Sequence, residues 1–91
     1  MKKVIWKFEL TDKGVQNISL PKDYQFLTIQ TQNGTSCIWV LVNPNEEKID
    51  EQFEIYGTGH DIHFDMGISR DYLGTFQDSY FVWHLFRYTG V

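Results

Sequence analysis

The chain has 91 residues, a net charge of −4 at pH 7 and 16% aromatic side chains. This length allows one domain, residues 1–91, and so small a domain buries only about 60–65% of the surface that its unfolded chain exposes. The negative charge argues against binding of duplex nucleic acid, because the phosphate backbone requires a broad basic face.

The sequence predicts a cytoplasmic protein that does not cross a membrane. The segment after Met1-Lys2-Lys3 mixes apolar and charged residues, whereas a signal peptide continues with an apolar segment. No window approaches the roughly 20 apolar residues that span a bilayer. Cys37 is the only cysteine, which excludes an internal disulfide, and its apolar neighbours predict a buried thiol.

Alternation of apolar and polar residues predicts strands from the start of the chain. Residues 4–10 and 16–20 both alternate, as half-buried strands do. Pro21 ends the second strand or marks it as an edge strand, because proline lacks the N–H that a ladder requires. A third strand is predicted over residues 24–32.

In that third strand, strict alternation predicts Leu27 and Ile29 on one face and Phe26 on the other. Asn33-Gly34 follows, and this dipeptide between two strand-like segments predicts a type I′ hairpin. Residues 38–42 are apolar on both faces, which predicts that the fourth strand is central.

The second half of the chain continues in short strands. We predict them over residues 52–56, 72–77 and 80–88. No stretch shows helical periodicity over ten or more residues. The sequence therefore predicts an all-β fold, a single small antiparallel β-sandwich or barrel of about seven strands.

One glycine-bearing segment is the first candidate ligand site: Tyr56-Gly57-Thr58-Gly59-His60. In a functional interpretation, the turn amides and the Thr58 hydroxyl hold an anion or carbonyl, His60 donates a hydrogen bond, and Tyr56 forms a wall. In a structural interpretation, the segment is simply a turn at the end of a strand. Gly-x-Gly alone decides little, since a dinucleotide fingerprint also requires a third glycine and a helix.

Residues 72–77 form the second candidate segment. Thr75 and Gln77 could face a ligand while Phe76 or Tyr72 stacks on it; alternatively, Gly74 is a bulge in an ordinary strand.

Two further side chains have both kinds of interpretation. Arg70 suits phosphate binding, although a surface role is an equal alternative. His84 alternates with Val82 and Phe86, which favours a hydrogen-bonded core histidine over a catalytic one.

We expect neither a metal nor a cofactor, and no enzymatic activity. Asp61, His63 and Asp65 would share one side of an extended segment, but a zinc site requires three or four well-placed ligands and paired cysteines are lacking. The sequence indicates no nucleophile–base pair, because it contains no Gly-x-Ser-x-Gly motif and Cys37 has no candidate base nearby in sequence. A hydrolase using His60 and Asp61 is the enzymatic alternative.

Six short motifs occur in a specific order along nearly the whole chain. They are Ile5-Trp6-Lys7-Phe8, Leu20-Pro21, Gln32-Asn33-Gly34, Tyr56-Gly57-Thr58-Gly59-His60, Gly74-Thr75-Phe76-Gln77 and Val82-Trp83-His84-Leu85-Phe86. This set resembles a family of small phage-encoded proteins of unknown function, which is similar in turn to phage anti-CBASS sponges. Those proteins sequester cyclic dinucleotide signals of bacterial immunity, such as cyclic GMP-AMP, in an oligomer and without cleavage. The resemblance implies functional roles for Tyr56, Thr58, His60, Thr75 and Gln77.

We therefore expect a non-enzymatic homo-oligomer in the host cell cytoplasm that sequesters a cyclic dinucleotide (cGAMP-like) or a related nucleotide signal of anti-phage defence. Aromatic faces suit bases, and a chain this small would enclose a dinucleotide only with a second subunit. The expected ligand-binding residues are Tyr56, Gly57, Thr58, Gly59, His60, Arg70, Thr75, Phe76 and Gln77. The alternative is a protein-interaction or virion-accessory module without a small-molecule ligand, in which the aromatic side chains form a partner surface.

Overall fold

The computed structural model describes residues 2–11, 14–62 and 69–90, which form seven strands. The strands are β1 (Val4–Glu9), β2 (Val15–Pro21), β3 (Gln25–Gln32), β4 (Thr35–Val42), β5 (Lys48–Gly57), β6 (Ser69–Asp78) and β7 (Phe81–Gly90). All strand pairings are antiparallel, which confirms the predicted fold class. The described residues include no helix of the length and apolarity that a membrane crossing requires.

The strands form two sheets that pack as a sandwich. One sheet has three strands in the order β1-β4-β3, and the other has four in the order β2-β5-β7-β6. β4 is thus central and β2 is an edge strand, as the apolar faces of residues 38–42 and the position of Pro21 predicted. Proline is tolerated there because no further strand requires its missing N–H.

The core lies between the sheets and consists of inward-facing apolar residues from both. Ile38 and Val40 of β4 pack in one cluster with Phe53 of β5 and Leu85 of β7, and all four side chains are fully buried. Each such side chain contributes roughly 1.5–3 kcal/mol relative to exposure. Cys37 is also buried, as predicted.

A β-bulge changes the faces predicted for β3. The register against β4 shifts between Phe26 and Thr28. Leu27 is consequently 41% exposed, whereas Phe26 packs against the core on the same side as Ile29. The prediction that Leu27 shares a face with Ile29 is wrong, because the extra residue of a bulge moves the alternation by one.

The Asn33-Gly34 hairpin is confirmed. Both residues have positive φ, 51° and 81°, as a type I′ turn requires.

The two sheets approach each other along β3 and β6. The Thr31 hydroxyl of β3 donates a hydrogen bond of 2.8 Å to the Gln77 carbonyl of β6. A Cβ atom on Gly74 would lie 2.7 Å from Cγ2 of Ile29, so glycine permits this close approach. The register of β6 against β7 also shifts between Tyr72 and Gly74, so a bulge lies directly before Gly74, which itself pairs with Leu85.

Candidate functional site

The Gly-x-Gly segment forms a tight turn at the end of β5. The His60 N–H donates to the Gly57 carbonyl at 3.0 Å, and Gly59 has a φ of 88°, which fits the third position of a type II turn. The Thr58 N–H donates to the Val82 carbonyl at 3.1 Å, which fixes the turn to the start of β7.

The His60 ring folds back over Gly57. Nδ1 of the ring accepts the Gly57 N–H at 3.3 Å, so in the neutral ring Nε2 carries the proton. A Cβ atom at position 57 would lie 2.7 Å from Cε1 of His60, and only glycine leaves room for the ring.

Most N–H groups of the predicted anion-binding turn are therefore already used within the protein. The N–H groups of Gly57, Thr58 and His60 all donate within the protein. Of this turn, only the Gly59 N–H makes no hydrogen bond within the described residues. A single amide is not the concavity of successive N–H groups that anion binding uses.

The turn forms one wall of an aromatic recess with a volume of about 320 Å³. The recess is lined by Gly57, Thr58, His60, Tyr80, Phe81, Val82 and Trp83. The centroid of the Trp83 ring lies 5.9 Å from that of the His60 ring, in an edge-to-face arrangement, and 6.0 Å from that of the Phe81 ring. Phe81 is 65% exposed, so the recess offers an accessible aromatic surface.

A row of polar side chains runs from this recess along the outer face of the four-stranded sheet. Tyr56, His84 and Thr75 are in register on β5, β7 and β6, and they alternate with buried residues of the core face. Nε2 of His84 lies 2.8 Å from the Thr58 hydroxyl, and Nδ1 lies 2.9 Å from the Thr75 hydroxyl. The Thr75 hydroxyl is also hydrogen-bonded to the Tyr72 phenol.

We call Thr58, His84, Thr75 and Tyr72 the hydroxyl–imidazole row. Both ring nitrogens of His84 have hydrogen-bond partners, as expected for a structural histidine. The ring lies on the outer face, however, and not in the core, because Leu85 takes the inward position beside it.

Arg70 is engaged in an ion pair on the same outer face. Its Nε donates to Oε1 of Glu54 at 2.8 Å, and the Tyr56 phenol donates to Oε2 of the same carboxylate at 2.6 Å. The Arg70 and Glu54 side chains are only 14% and 5% exposed. The hydrogen bond to Glu54 raises the pKa of Arg70, and burial followed by the Glu54 contact raises the pKa of Tyr56. Arg70 would have to leave Glu54 in order to bind a phosphate.

The remaining predicted residues lie apart from one another. Phe76 is 5% exposed and belongs to the core, so it does not stack on a ligand beside Thr75. Gln77 is exposed, and its Nε2 donates to the Ser79 carbonyl at 3.3 Å.

Sequence reasoning missed the aromatic part of the recess, Tyr80, Phe81 and Trp83, and also the partners of His84. The pairing register of β6 and β7 would have predicted one of these partners, Thr75. With Ser79-Tyr80 as the two-residue loop of a hairpin, Asp78 pairs with Phe81 and Thr75 faces His84.

Within residues 2–11, 14–62 and 69–90, no three His, Cys, Asp or Glu side chains come together in a way that could hold a metal ion. His63 and Asp65, two of the three residues considered for a metal site, lie outside the described residues.

A family model described as "Domain of unknown function (DUF7352)" matches residues 1–90. No curated protein and no solved structure matches the chain.

Proposed function

The chain belongs to the family described as a domain of unknown function (DUF7352), and from this premise we propose that it binds a small nucleotide without transforming it. The observation that carries the proposal is the aromatic recess, in which Trp83, Phe81 and His60 surround a space of about 320 Å³. Stacking of a base on an aromatic side chain contributes roughly 1–3 kcal/mol and suits any base.

The size of the recess favours one nucleotide unit per subunit. Its volume of about 320 Å³ lies at the small end of ligand pockets. A dinucleotide would therefore require a second recess, and a two-fold homo-oligomer supplies one.

We propose further that the ligand is a cyclic dinucleotide (cGAMP-like) or a related signal of bacterial anti-phage defence, which the protein sequesters in the host cytoplasm. The support is the motif resemblance, together with the fact that Thr58 and His60, two residues to which it assigns roles, line the recess. Sequestration needs affinity and no chemistry, so the protein need not be an enzyme.

The contact between Thr58 and His84 makes it necessary to check that a bound ligand is not cleaved. The Thr58 hydroxyl lies 2.8 Å from Nε2 of His84, and a hydroxyl beside an imidazole is also the arrangement of an activated nucleophile. In a triad a third group orients the base, often a carboxylate; here the other ring nitrogen, Nδ1, contacts the Thr75 hydroxyl. This contact favours a structural role for His84.

A thermal-shift panel of cyclic dinucleotides, ADP-ribose derivatives and mononucleotides tests the proposal. A ligand at 100 times its Kd should stabilise the protein by about 2.7 kcal/mol. Phe81→Ala should abolish the shift, whereas Ile5→Ala, which truncates a side chain of comparable exposure (61%) on the other sheet, should not. Ligand recovered from the denatured complex should be intact; absence of any shift, or a cleaved ligand, contradicts the proposal.

A second candidate function is a protein-interaction module. It is favoured by three consecutive exposed apolar residues, Tyr80, Phe81 and Val82, with exposures of 95%, 65% and 39%. In that case Tyr80→Ser should abolish capture of one stoichiometric protein partner, while no member of the nucleotide panel shifts the melting temperature.

A further inference from the structure

Every second residue of β1 points its main-chain groups away from β4. The Leu10 N–H donates to the Ser36 carbonyl at 2.8 Å, so these two residues belong to the hydrogen-bonded pairs of the ladder. Bonded pairs alternate along an antiparallel ladder, and the next ones on β1 are therefore Phe8, Trp6 and Val4. The N–H and C=O groups between them form an open edge at Ile5, Lys7 and Glu9.

The Asn33-Gly34 hairpin gives the same alternation independently. Gln32 and Thr35 flank this two-residue loop and are opposite each other, which makes them a hydrogen-bonded pair. The main chain of Thr35 therefore points to β3, and that of Ser36 points to β1, in agreement with the bond from Leu10.

The three other edge strands are interrupted or covered. β2 ends in Pro21, and β3 and β6 both contain bulges, which are features that block strand addition. β3 and β6 are also joined to each other through the Thr31 hydroxyl and the Gln77 carbonyl. β1 has no proline, glycine or register shift, and among the described residues no backbone hydrogen bond joins it to β2.

We propose that β1 is a self-association surface, on which β1 of a second copy adds in antiparallel orientation about a two-fold axis at Trp6. In this register Lys3 lies opposite Glu9 of the second copy, and Val4 lies opposite Phe8 of the second copy. Oppositely charged and apolar cross-strand pairs both stabilise a sheet. The axis also places the open main-chain groups of the two edges opposite one another.

Other registers conflict with the charges or with the main chain. Sliding the second copy by two residues places Lys3 opposite Lys7 in one direction, and Lys7 opposite its own counterpart in the other. Like charges directly opposite each other destabilise a sheet. A slide by one residue would require main-chain groups that already bond to β4. The register centred on Trp6 avoids both conflicts, and it sets Ile5 against the aliphatic stem of Lys7.

The side chains along this edge are accessible to a second copy. Ile5 is 61% exposed, and Lys3 and Glu9 are exposed without an ion pair to another described residue. On the core side, Trp6 and Phe8 are only partly buried by their own subunit. Pairing would join two three-stranded sheets into one of six strands and cover more of these two rings.

The pairing uses no residue of the aromatic recess, and so it is independent of the proposed function. A dinucleotide held by two recesses would require a further contact between subunits.

Oxidative cross-linking of single-cysteine variants tests the register. In a Cys37→Ser background, Trp6→Cys should give a disulfide-linked dimer, because residues opposite each other in a non-bonded pair have closely spaced Cβ atoms. Phe8→Cys alone, the matched control, should remain monomeric under the same conditions. A mixture of Phe8→Cys and Val4→Cys proteins should form the mixed dimer. Cross-linking of Phe8→Cys alone, or none through Trp6→Cys, would overturn the register.

Sedimentation velocity of charge variants tests the interface without a core substitution. The wild-type protein should show a monomer–dimer equilibrium that depends on concentration. Lys3→Glu should weaken dimerisation about tenfold, because it replaces two attractive pairs with two repulsive ones, and adding Glu9→Lys should restore it. Lys2→Glu, with the same change in charge at an exposed neighbour, should have little effect. A wild-type protein that stays monomeric, or equal effects of Lys3→Glu and Lys2→Glu, would overturn the inference and leave nucleotide binding untouched.

Discussion

Two glycines that both permit close approaches should respond differently to the same substitution. At Gly57 an added Cβ atom would lie 2.7 Å from the His60 ring, which belongs to the recess. At Gly74 it would lie 2.7 Å from Cγ2 of Ile29, which is buried in the core. Gly57→Ala therefore displaces a turn side chain, whereas Gly74→Ala compresses the core.

The expected magnitudes follow from these contacts. Gly57→Ala loses one hydrogen bond and one ring contact, each about 1 kcal/mol, and regains roughly 0.5–1 kcal/mol because alanine restricts the unfolded chain. The net cost is about 1 kcal/mol, or a Tm lower by about 4–8 °C in a domain of this size. Overpacking at Gly74→Ala costs about 1–3 kcal/mol.

Calorimetric unfolding and nucleotide titration of both variants measure the two effects. With His60 displaced, Gly57→Ala should weaken nucleotide binding about tenfold, equivalent to the roughly 1.4 kcal/mol of a lost contact. Gly74→Ala should retain wild-type affinity at temperatures where it is folded. If Gly57→Ala binds as tightly as the wild-type protein, His60 is not part of the ligand site and the reasoning is refuted.

Three other consequences can be checked by unfolding and labelling. Glu54→Gln should lower the free energy of unfolding by about 3 kcal/mol in urea titrations, because it leaves Arg70 charged, buried and without its carboxylate. Adding Arg70→Met to this variant should restore part of the loss. A loss below about 0.5 kcal/mol for Glu54→Gln alone would contradict the role of the ion pair. Burial raises the pKa of Tyr24 to about 12 from 10.0, so this side chain contributes full stability below pH 10 and loses that contribution as the pH rises toward 12. Tyr24→Phe should show a smaller loss of stability than the wild-type protein over that interval, and an equal loss would argue against the shift. Cys37 is 1% exposed, so a thiol reagent should label it only in denaturant, and rapid labelling of the native protein would disagree with its position in the core.

The fold was largely predictable because local patterns govern most of it. Alternation identified the strands, and Asn33-Gly34 defined its hairpin, since the turn depends only on the φ values of two neighbouring residues. The faces of β3 were not predictable, because a bulge at Leu27 moves the alternation without a glycine or proline to mark it.

The candidate site was predictable only in part, because it depends on pairing between strands. The turn at 57–60 carries its own sequence signature, and it does lie beside the recess. Thr75 faces His84 through the register of β6 against β7, which runs without a shift from Asp78–Phe81 to Gly74–Leu85 and so depends on where the hairpin loop lies. Phe76 and Thr75 are neighbours in sequence, yet one enters the core and the other the row, because successive residues of a strand face opposite sides.

The fluorescence of Trp83 tests the central claim most directly. Trp6→Phe with Trp39→Phe leaves Trp83 as the single tryptophan, while Trp83→Phe retains the other two as a control. Titration with 3′,3′-cyclic GMP-AMP should change the Trp83 emission saturably, as stacking of a base requires, and leave the emission of the control variant unchanged. An unchanged Trp83 emission at saturating ligand would contradict the proposal that the aromatic recess holds a nucleotide base.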